Sequence, residues 1–94
     1  MSIGLLTLHL FLPGCTSLKH KRSILKPILA RLHREFNISA AEIARQDMWQ
    51  EAVLACALVS NEAAFTQRAL QQVIQLTERN WPDINILDHK IDLI

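Results

Sequence analysis

Leucine occupies every second position from Leu6 to Leu12, while Ile3, Leu5, Thr7, His9 and Phe11 occupy the odd-numbered positions. A period of two sends alternate side chains to opposite faces of an extended chain. Residues 3–12 therefore predict a β-strand with an all-leucine face toward a core and a mixed face outward, ended by Pro13-Gly14. The period then changes. Leu18, Leu25, Ile28, Leu29, Leu32 and Phe36 recur at helical spacing, and Ser17 stands where an N-cap belongs. They predict a helix from Leu18 to Phe36, in which Pro27 removes one backbone hydrogen bond and favours a kink or a weak first half.

Ile38–Arg45 and Ala52–Ser60 predict two strands joined by a loop over Gln46–Gln50. Their alanines suit a single helix through Ala40–Ala57 better, but Val53–Ser60 is too continuously apolar for a surface helix. Asn61 and Glu62 open a second helix, with Phe65, Ala69, Val73, Ile74 and Leu76 as its apolar positions, and Trp81-Pro82 stops it after Asn80. Alternation returns at the end, with Leu87, His89, Ile91 and Leu93 on one face and Asp88, Lys90 and Asp92 on the other. The order β-α-β-β-α-β, with right-handed crossovers, predicts an α+β ferredoxin-like sandwich. Its four-stranded antiparallel sheet carries two helices on one face, and residues 1–94 form a single domain.

Composition narrows the class. With 94 residues, half of them apolar, two Gly and three Pro, the chain is neither disordered nor a disulfide scaffold. Cys15 and Cys56 lie far apart with no CxxC pair, as expected of reduced thiols in a cytoplasmic protein. Leu12-Pro13-Gly14-Cys15 resembles a lipoprotein cleavage box, but no Lys or Arg precedes Lys19, so export is not expected. No apolar run is long enough to span a bilayer, and no membrane association is expected.

Charge changes the picture more. The net charge of +1 conceals a segment from Ser17 to Phe36 with six basic residues and one acid, against four basic residues and eight acids elsewhere. Lys19, Lys21 and Arg22 crowd the helix start, where the macrodipole favours acids instead. A 100° wheel turns Lys19, Lys26 and Arg34 outward but places Lys21 and Arg22 near the Leu18–Leu25 side, at the rim. Two readings follow. Lys21 and Arg22 pair with the chain's own acids, such as Glu42 or Asp47, or the helix start binds an anion, a nucleic-acid backbone foremost.

Candidate chemistry adds little. His9, Asp88, Lys90 and Asp92 share the outer sheet face, but such residues are routine there, and neither a metal nor another cofactor is expected. Cys56 reads as a small apolar core residue, and no catalytic constellation surrounds Cys15. An enzyme is not expected. Base stacking across the sheet, as in RNA-recognition motifs, is also excluded, since Phe11 is the sole aromatic candidate. Trp49 and Trp81 sit at element ends and cap the core by default; Trp49, in the loop Asp47-Met48-Trp49-Gln50, reads alternatively as an exposed partner anchor.

Pro13-Gly14, Ser17-Leu18-Lys19-His20-Lys21-Arg22, Phe36-Asn37-Ile38-Ser39-Ala40-Ala41-Glu42, Asp47-Met48-Trp49-Gln50 and Val59-Ser60, in that order, resemble the YlxP-like family of bacterial domains of unknown function. The resemblance covers essentially the whole chain. It implies the ferredoxin-like fold, no established enzymatic activity, and, from genes that neighbour those of translation initiation and ribosome-binding factors, a role near RNA or the ribosome. Ser17, Lys19, Lys21, Arg22, Asn37, Glu42, Asp47, Trp49 and Gln50 fall on the family's motif positions. His20 stands where the family has an acidic residue, and His89 where it has an apolar one. The reading that results is a non-enzymatic accessory protein touching ribosomal RNA or a ribosomal subunit through Lys19, Lys21, Arg22 and Lys26. The alternative is a protein-interaction or homodimerisation module using the outer sheet face, where Ile3, Leu5, Phe11, Ile86 and Ile94 are expected exposed.

Overall fold

The computed structural model describes residues 1–94. Its elements are β1 (Ser2–Phe11), α1 (Leu18–Glu35), β2 (Ser39–Ala44), β3 (Glu51–Ser60), α2 (Ala63–Asn80) and β4 (Asn85–Leu93). The sheet order is β2-β3-β1-β4, with every neighbouring pair antiparallel. This is the ferredoxin-like α+β sandwich that the alternation predicts, and element boundaries move by no more than two residues from those expected. The single helix through Ala40–Ala57 does not form: β2 and β3 pair from Ser39↔Ala57 to Ala44↔Val53.

Burial follows the period of two. In β1 the buried and half-buried residues alternate without a break, and Leu6, Leu8 and Leu10 are fully enclosed. Opposite them on β3, Cys56, Leu54 and Ala52 face the same way. Leu25, Ile28 and Leu32 of α1 and Leu70, Val73 and Ile74 of α2 close the other side of the core. Trp81 packs against this core, as a capping residue does. Ser17 caps α1 by accepting the His20 N–H at 3.0 Å. α1 then runs unbroken through Pro27, whose ring lies exposed on the solvent side.

β4 departs from the simple alternation. A bulge shifts its register between His9↔Asp88 and Leu10↔Ile86, so Ile86 faces the core and Leu87 is extruded, half of it in solvent. Ile86 is therefore not on the outer face, and Leu87 is not on the inner one. The cause is the extra residue, which resets the phase of the two-residue repeat. His89 stands opposite Leu8 but at the exposed sheet edge, beside Glu78, Pro82 and Ile84.

Gly4 lies on the inner face of β1 beneath α2. A Cβ built there would stand 2.3 Å from Thr66 Cγ2 and 2.8 Å from Leu70 Cδ1. Thr66 cannot yield readily, because it is fully buried and its hydroxyl bridges Ser60 Oγ at 2.7 Å and the Glu62 carbonyl. The absent methyl thus sets how closely α2 approaches the sheet. Gly4→Ala is expected to destabilise the fold by about 1–3 kcal/mol through overpacking, measured by denaturant unfolding. The Cys56 thiol is fully enclosed, and burial pushes its pKa up from 9.0 to about 11. The unfolded chain ionises this thiol first, so its contribution is intact below pH 9 and declines as pH rises toward 11. Stability should fall by about 3 kcal/mol over that range from this group. Cys56→Ala should lack that part of the alkaline decline.

Candidate functional site

The Pro13-Gly14 turn, with Gly14 at φ 77°, leads from β1 to the start of α1. Cys15 is buried beneath this turn, its Sγ 3.5 Å from the Ser17 carbonyl. Three of the cations beyond the cap, Lys19, Arg22 and Lys26, are exposed. Positions i, i+3 and i+7 fall within roughly 60° of one another around a helix, so they form one stripe. No carboxylate lies within 4.0 Å of any of the three. Along the same side, Arg22, Lys26, Leu25, Leu29, His33 and Glu42 line an open groove of about 460 Å³ beside β2.

Lys21 does something different. Its side chain is only 2% exposed, which makes it one of the most deeply enclosed large residues of the protein. Nζ donates to the carbonyls of Arg45 and Met48, both at 2.8 Å, and lies 2.6 Å from Glu42 Oε2. The two carbonyls take two of the ammonium protons, and the Glu42 carboxylate balances the charge as an ion pair. Lys21 is therefore removed from the set of anion-binding residues. The helical wheel put it near the apolar side, and the β2–β3 loop folds over it to complete the enclosure. Glu42, foreseen as a partner, reaches it because it points to the inner face of β2, in register with Leu54. Arg22, for which the sequence offers the same pairing, has no acid within ion-pair reach.

The loop that receives Lys21 is held at several points. Arg45 sits in the left-handed region at φ 60°, and its carbonyl also accepts the Met48 N–H at 3.0 Å. The Gln50 carbonyl accepts from Leu12 N–H at 2.8 Å. On the outer sheet face, Glu51 Oε1 lies 2.6 Å from His9 Nε2 and 3.8 Å from Arg45 Nε. Between these anchors Asp47 and Trp49 stay in solvent, the indole 52% exposed. Trp49 is thus not a core cap. It borders a cavity of about 430 Å³ with Phe11, Asp47, Met48, Gln50 and Glu51.

The structure so gathers Ser17, Lys19, Lys21, Arg22, Glu42, Asp47, Trp49 and Gln50 around the α1 start and the loop latched to it. Asn37 is not among them. It follows the C-terminal end of α1 and lines a separate cleft with Phe36, Phe65 and Arg68. An 18-residue helix is about 27 Å long, which sets the distance between the two regions. Sequence reasoning did not single out Arg45 or the His9–Glu51 contact. A positive φ at a non-glycine and a cross-strand pair between residues 42 positions apart leave no local signal.

A family described as "Protein of unknown function (DUF503)" matches residues 3–91. The chain belongs to the DUF503 family. The chain is also similar to the "Uncharacterized protein YlxP" of Bacillus subtilis (strain 168), 41% identical over 68 residues, which cover 72% of this chain and 73% of that protein. Both matches agree with the family resemblance carried by the sequence motifs. No helix of this DUF503 chain is long and apolar enough to cross a membrane.

Because Lys21 neutralises buried acceptors, removing it should cost more than removing a surface lysine. Lys21→Met leaves Glu42 and the Met48 carbonyl without their cation and is expected to destabilise the protein by about 3 kcal/mol or more. Lys21→Met/Glu42→Leu, which removes both charges, should recover a large part of that loss. Urea unfolding of the two variants beside the wild type measures the difference.

Proposed function

We propose that this DUF503 protein is a non-catalytic, cytoplasmic accessory protein that binds RNA, ribosomal RNA foremost, through the phosphate backbone. The observation that carries the reading is the stripe of Lys19, Arg22 and Lys26, exposed and without a carboxylate within ion-pair distance. Surface cations that serve only solubility are commonly interspersed with acids. On α1 the acid is Glu35, which is taken by Arg31 at 2.8 Å. The stripe also begins at the helix N-terminus, where free N–H groups and the macrodipole add to its attraction for phosphate.

Phosphate contacts position a nucleic acid without reading its sequence. Whatever selects one RNA site over another must come from elsewhere. Trp49 supports that role, since an exposed indole on a fixed loop near the cations offers a stacking surface for an unpaired base. The central strands supply no such platform: among their outward residues only Phe11, at one end, is aromatic. The neighbourhood of the family's genes favours ribosomal RNA among possible partners.

Co-sedimentation with purified ribosomal subunits across a salt series tests the proposal. Three phosphate contacts predict a slope of roughly −2 to −3 in log affinity against log salt. Lys19→Gln/Arg22→Gln/Lys26→Gln should abolish most of that slope while leaving unfolding unchanged. Trp49→Ala should weaken binding without altering the slope. Binding that ignores both salt and the triple substitution would overturn the reading.

A further inference from the structure

The sheet covers its helices on one side only. On the other, the outward positions of the two central strands begin with Ile3, Leu5, Thr7 on β1 and Val59, Ala57, Ala55 on β3, uncharged as far as the His9–Glu51 pair at the opposite end. An antiparallel sheet that faces water normally alternates polar residues outward. These six positions do not, and Val59 is 63% exposed. A contiguous uncharged patch of this kind marks an interaction surface.

The register says what fits it. In the three pairs Ile3↔Val59, Leu5↔Ala57 and Thr7↔Ala55, the larger residue lies on β1 and the smaller on β3. The trough continues sideways, because Ala57 pairs with Ser39 and Ala55 with Ala41 on β2. The face is thus a ridge along β1 beside a trough along β3 and β2. A two-fold axis near the strand direction, passing between β1 and β3, lays the ridge of one copy into the trough of the other, reciprocally. Sheets packed face to face keep their strands within about 30° of each other, which such an axis allows.

We propose that a second copy of this chain covers the outer sheet face, packed about this axis, with Leu5 of each copy seated over Ala57 of the other. Charges agree with the placement. Asp92 and Lys90 stand on β4 opposite Leu5 and Thr7, so the rotation carries them over Ser39 and Ala41 of β2, uncharged residues of the opposite edge strand. Four strands over seven residues present a footprint of roughly 450 Å² per copy. That is below the ~800 Å² per partner of a standard interface, so the association is weak and concentration-dependent. The dimer leaves both α1 stripes on its outside and their starts at the same end. It stands apart from the RNA reading, and neither depends on the other.

Sedimentation velocity of the full chain from about 5 µM to 1 mM reads the outcome, with the salt-dependent RNA assay run separately. The expected result is a shift from 10.7 kDa toward twice that mass as concentration rises. Ala57→Lys, an exposed strand position, should raise the dissociation constant at least about tenfold by placing an unpaired charge in the trough. Ala57→Leu should weaken association by filling the trough, and Leu5→Ala/Ala57→Leu, which exchanges ridge and trough, should restore it. Unfolding curves confirm that each variant is native. A chain that stays monomeric throughout overturns the proposal, and the face then belongs to a different protein. A dimer indifferent to Ala57→Lys, or one that the exchange fails to restore, overturns it equally.

Discussion

The end of the molecule that carries most of the family motif depends on one buried ammonium. Enclosing a lysine is costly unless its charge is balanced and its protons find acceptors, and Lys21 finds a carboxylate on β2 and two carbonyls on the loop that follows. Each acceptor imposes something on its neighbourhood. Glu42 must point inward from an edge strand, Arg45 must turn its carbonyl through a left-handed backbone, and Met48 must close the turn that follows. The loop that results is held from inside, and Trp49 is displayed rather than buried. A functional surface built on a loop needs such fixing, because an ordered platform avoids the entropy cost of ordering it on binding.

The helix layer and the sheet layer end up with opposite characters. α1 turns unpaired cations to solvent, while over half their length the two central strands turn uncharged residues outward. A near-neutral total charge hides both properties. Separation of this kind lets the two surfaces act independently, one through long-range attraction that salt screens and the other through close packing that salt barely touches. Gly4 belongs to the same economy of space: by omitting one methyl it lets α2 sit directly on β1, so that the core closes on the helix side.

The strands and helices were legible because their hydrophobic periods are unambiguous where they matter. The leucine alternation of β1 and the stripe of α1 fix both the type of element and its inward face. β4 was legible only to the point of its bulge. One extra residue inverts the faces on either side, and nothing local in Ile86-Leu87-Asp88 announces where it lies. The site was legible in its residues and not in their roles. Lys19, Lys21, Arg22 and Lys26 formed one basic group along the chain, yet only the helical angle of Lys21 hinted that it differs, and its near-complete burial required the β2–β3 loop above it.

The sequence by itself determined the order of elements, the inward face of β1, the cap at Ser17 and the concentration of positive charge on α1. These are local properties, set by spacing and composition within a few turns of chain. The tertiary structure alone decided which cation is a structural bolt and which are free, that Trp49 is exposed, and that larger residues line β1 while smaller ones line β3. Those depend on register and on contacts between residues far apart in the chain, such as Lys21 with Met48 or Leu5 with Ala57. Spacing within one element carries no information about what another element places opposite it.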